Sequence, residues 1–75
     1  MSPYLPRMSG KDVISVLALI GFVQVSQKGS HVKLRHADGR VVIVPVHKEL
    51  ATGTLRSIIR QAGMTVDDFR NLVDH

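Results

Sequence analysis

The residue best suited to carry chemistry is His31, which directly follows the segment Lys28-Gly29-Ser30. A glycine–serine turn exposes backbone N–H groups and a hydroxyl, and this small concavity suits a phosphate group. A histidine beside it would place a general acid–base catalyst next to the bound phosphate. Lysine–glycine–serine is also common in ordinary turns, so the pattern alone leaves open an exposed histidine without a catalytic role.

Cationic residues surround this turn, and the chain has 10 Lys and Arg against 6 Asp and Glu, a net charge of +4. Such a balance favours a polyanionic partner: nucleic acid, an anionic membrane or an acidic protein. Arg56 and Arg60 share one helix face, where solvation explains them slightly better than binding. Around the turn we favour binding of RNA phosphates. The predicted binding residues are Lys28, Gly29, Ser30, Lys33, Arg35, Arg40 and Lys48.

The four histidines do not have the spacing of a metal site. His31 and His36 are an odd number of residues apart on one predicted strand, so their rings point to opposite faces. His47 is in a predicted loop beside Lys48, and His75 is the last residue of the sequence. The chain has no cysteine, and therefore no thiolate ligand or nucleophile. We predict no metal and no cofactor.

The same composition bears on cellular location. A small domain without cysteine fits a reducing compartment. The most apolar stretch, residues 13–25, is shorter than the ~20 residues that span a bilayer. Asp12 directly precedes this stretch and no small-residue cleavage site follows it, which argues against a secretory signal. We predict a cytoplasmic protein without a membrane segment.

Apolar residues at helical spacing predict two helices and a short C-terminal third. Residues with a side-chain oxygen stand where each helix would begin, and an acidic residue three positions later completes a capping box at two of them. The predicted caps are Ser9 with Asp12, Thr52 or Thr54, and Thr65 with Asp68. Gly21 and Gly63 would end the first two helices in the left-handed conformation.

Three strands are predicted between the first two helices. Lys28-Gly29 and Asp38-Gly39 mark the tight turns that separate them. The predicted strands are residues 22–27, 30–36 and 40–46, and Pro45 suggests that the last one is an edge or ends there. The result is an α+β fold, α-β-β-β-α, with a three-stranded antiparallel sheet and a short C-terminal helix. Residues 9–75 would form this single domain after a flexible arm, residues 1–8.

Side chains alternate between the two faces of a strand. On the second strand Val32 and Leu34 must face the helices. His31 therefore lies on the opposite, open face, together with Lys33 and Arg35. Because neighbouring cations disfavour the imidazolium, we expect a neutral ring that can accept a proton.

The same alternation places Val41 and Ile43 of the third strand on the open face, while Val42 and Val44 face the helices. Apolar side chains on an open face predict a covering partner, either another protein or a second copy of the chain in a homodimer. The β-propensity of valine and isoleucine on a half-exposed strand explains them equally well.

Seven short strings follow one another along the chain in a specific order. They are Met8-Ser9-Gly10-Lys11-Asp12-Val13, Gly21-Phe22, Lys28-Gly29-Ser30-His31, His36-Ala37-Asp38-Gly39-Arg40, Val44-Pro45-Val46-His47, Gly53-Thr54-Leu55-Arg56-Ser57-Ile58 and Gln61-Ala62-Gly63. In this order they resemble the HicA (YcfA-like) toxins of bacterial and archaeal toxin–antitoxin modules. The resemblance covers about residues 8–72.

The resemblance implies a fold like that of double-stranded-RNA-binding domains, ribonuclease activity on messenger RNA, and a HicB antitoxin that counters it. The family's catalytic histidine follows Gly-Ser, which here is His31. Many members have a second histidine next, where this chain has Val32, so the catalytic role would rest on His31. Val41 and Ile43 stand where polar residues are frequent in the family, which implies a more apolar partner surface.

Three hypotheses follow from the sequence. The first is a metal-independent endoribonuclease toxin in which His31 takes the proton of a ribose 2′-OH. The second is a noncatalytic RNA-binding module that uses the same cations. The third is a protein-interaction domain that binds its partner through Val41 and Ile43. The first and second differ in whether RNA is cut, and the third predicts a complex that is insensitive to salt and RNA.

Overall fold

Three strands and three helices follow one another in the predicted order in the computed structural model, which describes residues 5–74. The elements are α1 (Gly10–Ala18), β1 (Val23–Lys28), β2 (His31–Arg35), β3 (Val41–Pro45), α2 (Thr52–Gln61) and α3 (Val66–Val73). Each strand pairs antiparallel with the next, so β2 is central. The predicted α+β fold with a three-stranded antiparallel sheet is confirmed. None of the helices within residues 5–74 has the length and hydrophobicity needed to cross a membrane.

One face of the sheet packs against the helices, as strand alternation predicts. The buried strand residues are Val32, Leu34, Val42 and Val44, each at most 2% exposed. The helices bury Val13, Leu17, Leu55, Ile58, Ile59 and Phe69 against them. Burial of apolar side chains on this face fixes the strand register, because a slip by one residue would turn them to solvent.

All six residues of the edge strand β1 are exposed. The predicted strand begins one residue earlier, but Phe22 is 3% exposed and packs in the core before the strand starts. The register with β2 shifts between Gln24 and Ser26, which makes Val25 an extra residue in a β-bulge. A bulge twists an edge strand and discourages pairing with another chain.

Both predicted capping boxes are present, at Ser9 of α1 and Thr65 of α3. The threonine cap predicted for α2 is wrong. Ala51 is the N-cap, without a side-chain hydrogen bond, and Thr52 is already the first helical residue. The reason is that the N–H of Leu55 donates to the carbonyl of Ala51 at 2.9 Å, one residue earlier than a cap at Thr52 and three earlier than a cap at Thr54. The glycine after each of α1 and α2 has a positive φ, as predicted.

The end of the predicted N-terminal arm packs against the domain. Met8 is 7% exposed, and its carbonyl accepts a hydrogen bond of 2.8 Å from the N–H of Leu50. Leu5 is partly buried against the same core. Packing therefore extends to residues before Ser9, and residues 1–4 of the arm lie outside the described part of the chain.

Candidate functional site

The turn before His31 is short and supported from both sides. Lys28 pairs with His31 across the two-residue loop, and Gly29 has a φ of 58°, the conformation for which glycine is favoured. The side-chain amide of Gln27 donates to the carbonyl of Gly29 at 3.0 Å, and the N–H of Val46 donates to the carbonyl of Ser30 at 2.6 Å. These two bonds hold the turn at the end of the sheet.

The turn is also accessible to a ligand. A Cβ added to Gly29 would meet no atom within 4 Å, so a bound group can approach the backbone closely. Ser30 and His31 are exposed. A hydroxyl and an imidazole, both suited to contact a phosphate, are therefore open to solvent next to this turn.

Directly opposed residues on neighbouring antiparallel strands share a face, and this relation defines the open face of the sheet. His31 lies opposite Lys28 and Pro45, Lys33 opposite Ser26 and Ile43, and Arg35 opposite Val23 and Val41. The open face consists of Lys28, Ser26 and Val23 on β1, His31, Lys33 and Arg35 on β2, and Val41, Ile43 and Pro45 on β3. The structure thus brings His31 together with three of the predicted cations.

Two further cations lie near the end of the sheet where β3 finishes. Lys48, a predicted binding residue, follows β3 and lines a cavity with Lys11 of α1. Lys11 was not among the predicted binding residues. It reaches this place because the N–H of Gly10 donates to the carbonyl of His47 at 2.9 Å and joins α1 to the loop after β3. No local sequence pattern indicates this tertiary contact.

Arg40 is separated from the other predicted binding residues, since it lies at the opposite end of the β2–β3 hairpin. Its Nε donates to both carboxylate oxygens of Asp38, at 2.9 and 3.1 Å, and its Nη1 donates to the carbonyl of Ala62. The guanidinium carbon is also 5.1 Å from the centroid of the Phe22 ring, a cation–π distance. Arg40 thus fixes the hairpin to the end of α2, and phosphate binding by it stays a prediction.

The charge of Asp38 reflects the same contacts. The hydrogen bond from the Arg40 side chain, followed by that from the Arg40 backbone N–H, holds the pKa of this carboxyl below its ordinary value of 3.8. The Nδ1 of His36 lies 3.2 Å from the same carboxylate, and a positive charge on that ring would lower this pKa further. The charges of Asp38 and Arg40 are therefore paired with each other within the hairpin.

The predicted partner residues are on the open face with the cations. Ile43 is 39% exposed, and Val41 is half-buried. Val23 of β1, at 62%, extends the apolar part of this face but was missed from the sequence. Its orientation depends on the bulge at Val25, which breaks the alternation that sequence reasoning uses.

Metal-binding side chains do not cluster in the part of the chain that the structure describes. Within residues 5–74 there is no group of three or more His, Cys, Asp or Glu residues that would hold an ion.

A sequence model described as the HicA toxin of bacterial toxin–antitoxin matches residues 10–64. The chain belongs to the HicA toxin family. The matched region contains α1, the whole sheet and α2, and therefore every predicted site residue. A solved chain from a structure titled "Toxin-Antitoxin complex from Streptococcus pneumoniae" is similar in fold with a TM-score of 0.67. It is 33% identical, and the similarity covers 76% of this chain and 98% of that one. Comparison with curated proteins gave no match.

Proposed function

We propose that this HicA-family protein is a metal-independent endoribonuclease toxin that cleaves messenger RNA with His31 and is neutralised by a HicB-type antitoxin. The observation that supports the proposal most is the position of His31. It is exposed beside a supported Gly29–Ser30 turn and lies directly opposite Lys28. The family provides the biological setting, and the turn provides a place for the phosphate.

The proposed reaction begins with His31 as the neutral imidazole. It takes the proton of a ribose 2′-OH, whose oxygen forms a bond to the adjacent phosphorus. The bond from phosphorus to the 5′ oxygen of the next nucleotide then breaks, and that oxygen leaves with a proton from the imidazolium or from water. The products are a 2′,3′-cyclic phosphate and a 5′-hydroxyl. Because the nucleophile is the 2′-OH, DNA would not be cut.

The residues around His31 have distinct proposed roles. Backbone N–H groups and the hydroxyl of the Gly29–Ser30 turn would hold the phosphate. Lys28, on the neighbouring strand, and Lys33, two residues along β2 on the same face, would offset the negative charge that develops on the phosphoryl oxygens. Arg35 and Lys48 would contact phosphates farther along the RNA.

The test is incubation of the purified chain with single-stranded RNA in excess EDTA. The parent is compared with His31→Ala and with His75→Ala, which removes an imidazole that the proposed reaction does not use. We expect cleavage with 2′,3′-cyclic phosphate ends from the parent and His75→Ala, and a loss of at least 100-fold in His31→Ala, the lower end of what a general base contributes. Circular dichroism shows whether His31→Ala is folded. Equal cleavage by parent and folded His31→Ala would refute the catalytic role of His31.

The antitoxin is proposed to cover the open face. The structure from Streptococcus pneumoniae is by its title a toxin–antitoxin complex. In this chain the open face combines exposed Val23 and Ile43 with the cations, so an antitoxin surface of apolar and acidic residues would complement it. We expect Ile43→Asp to weaken antitoxin binding at least tenfold. The matched control is Leu19→Asp, which alters a 65% exposed residue at the end of α1 and should bind normally.

The exposed apolar residues of the open face also favour one other function, that of a binding module without catalysis. In that case RNA or the partner would bind while the parent and His31→Ala leave RNA intact. The cleavage experiment therefore separates this candidate from the toxin nuclease.

A further inference from the structure

A groove lies between α1 and the first two strands, on the helix side of the sheet. Its volume is about 390 Å³, within the range of ~300–1,000 Å³ that is usual for small-molecule sites. Ile14, Val32 and Val46 line it with aliphatic side chains. The amide side chains of Gln24 and Gln27 lie at the same groove on β1. The groove therefore combines aliphatic walls with hydrogen-bonding groups on β1, and Lys11 and Ser15 of α1 complete its lining.

The groove meets the Gly29–Ser30 turn at two points. Gln27 lines the groove and donates its side-chain amide to the carbonyl of Gly29 at 3.0 Å. Val46 lines it from the other side and donates its N–H to the carbonyl of Ser30 at 2.6 Å. A molecule in the groove would thus lie immediately behind the turn at which a phosphate is proposed to bind.

A second cavity, lined by two lysines, adjoins the groove. This cavity of about 320 Å³ shares Lys11 and Val46 with the groove and continues to His47 and Lys48. Among the described residues that line the two cavities there is no carboxylate. The lining of the two neighbouring cavities therefore suits an anionic chain that carries partly apolar groups, and it disfavours a cationic peptide.

We propose that this groove holds one unpaired nucleobase of the RNA, next to the nucleotide that is cut, and that Gln24 and Gln27 bind its edge. The inference rests on the proposed ribonuclease function. A glutamine amide offers both donors and an acceptor, which is the set that a base edge requires. Aliphatic walls would cover the faces of the base, and Lys11 would contact an adjacent phosphate. Proteins that recognise RNA sequence mostly bind unstacked bases of single strands and form hydrogen bonds to their edges.

The proposed path of the RNA is set by the positions of His31 and the groove, which lie on opposite faces of the sheet. His31 projects on the open face, whereas the groove is on the helix side. The ribose–phosphate chain would pass over the Gly29–Ser30 end of the sheet, with its scissile phosphate at the turn and the neighbouring base inserted behind it. The groove would then determine which phosphates reach His31.

The test uses Gln24, because Gln27 also supports the turn and its replacement would disturb the phosphate site. A single-stranded RNA library with random sequence is cut by the parent, by Gln24→Glu and by Asn71→Asp. The last variant makes the same amide-to-carboxylate change at an exposed residue of α3, outside the groove. Sequencing of the cut ends gives the preference for each base at each position beside the cut.

We expect the parent to prefer certain bases at one position beside the cut. Gln24→Glu should change that ranking at least fivefold and favour bases with an exocyclic amino group, because a carboxylate only accepts hydrogen bonds. Asn71→Asp should keep the parental preference. A parent without any base preference, or an unchanged ranking in Gln24→Glu, would overturn the proposal while leaving the nuclease function intact.

A second measurement does not depend on cleavage. His31→Ala is titrated with an equimolar pool of four-nucleotide RNAs while NMR follows the methyl signals of Ile14 and Val46. Shifts of these signals that are lost in Gln24→Glu support the groove even if the parent cuts no RNA. Unshifted groove methyls, or methyls that shift only when a protein antitoxin is added, contradict it.

Discussion

The backbone of Gly10 lies directly against the carbonyl of Pro45. A Cβ on Gly10 would overlap the Pro45 oxygen and lie 2.9 Å from the Cα of Val46. The Gly10 N–H also donates to the carbonyl of His47. Because Pro45 is the β3 partner of His31, this contact fixes the first turn of α1 beside the candidate site.

We therefore expect Gly10→Ala to destabilise the protein. Replacing glycine by alanine in a helix ordinarily stabilises it by up to about 1 kcal/mol, because alanine loses less conformational entropy. Here the methyl group would collide with backbone atoms that cannot rotate away, and overpacking of this kind costs about 1–3 kcal/mol. The free energy of unfolding from urea titration should fall accordingly.

The matched control is Gly53→Ala, in the first turn of α2. A Cβ at Gly53 meets no atom within 4 Å, so only the gain in helix propensity remains. We expect an unchanged or higher free energy of unfolding, of opposite sign to the effect of Gly10→Ala. A stabilising Gly10→Ala would show that α1 does not approach β3 this closely.

The second prediction concerns His36, which joins the hairpin to the end of α1. Its Nδ1 accepts the N–H of Asp38 at 3.1 Å, so the proton of the neutral ring is on Nε2, which donates to the carbonyl of Ile20 at 2.9 Å. His36→Phe would keep a ring against Phe22, now 5.2 Å away between centroids, but would leave the Ile20 carbonyl without this donor. We expect a loss of about 1–3 kcal/mol in thermal or urea unfolding.

His47→Phe is the comparison for that variant. His47 is exposed, so the same substitution there should change stability by no more than about 0.5 kcal/mol. Similar losses in the two variants would mean that the effect comes from the added phenyl group and not from the hydrogen bond to Ile20.

The third prediction follows from the lowered pKa of Asp38. Because the folded pKa lies below the unfolded value, the stabilisation by this carboxylate is fully present above the unfolded value and is lost as pH falls through the folded one. Asp38→Asn should therefore unfold at lower urea concentration than the parent at pH 7. The difference should shrink as pH falls below 3.8, the ordinary pKa of the carboxyl, and Asp38 takes up its proton. A difference that is constant with pH would contradict the ion pair with Arg40.

Much of the fold could be predicted from local patterns, because the decisive signals are local. Strand alternation correctly predicted that His31 is exposed and Val32 buried, and the capping box at Ser9 correctly predicted where α1 begins. The features that were missed depend on contacts between distant residues or on broken alternation. Lys11 joins the site through the contact of α1 with β3, and Val23 reaches the open face past a bulge.

Arg40 shows the limit of the same reasoning for the candidate site. Arg40 was grouped with Lys28 and Lys33 because all three are cations close to the turn in sequence. In the fold, the hairpin carries it to the opposite end, where Asp38 and the end of α2 already bind its guanidinium. Charge counts indicate a polyanionic partner, but only the register of the strands shows which cations stand beside His31.

The last prediction separates the cations that bind RNA from those that do not. In the His31→Ala background, which we expect to bind RNA without cutting it, affinity for a single-stranded RNA is measured at several salt concentrations. Each phosphate contact on a single strand contributes about 0.7 to the slope of log K against log salt, because it releases counterions.

Lys28 lies opposite residue 31 on the open face, so Lys28→Gln should reduce the slope by about this amount. Arg56→Gln removes one exposed charge from α2, near the start of α3, and should leave the slope unchanged. Equal reductions in the two variants would mean that RNA responds to net charge alone and not to the arrangement around His31.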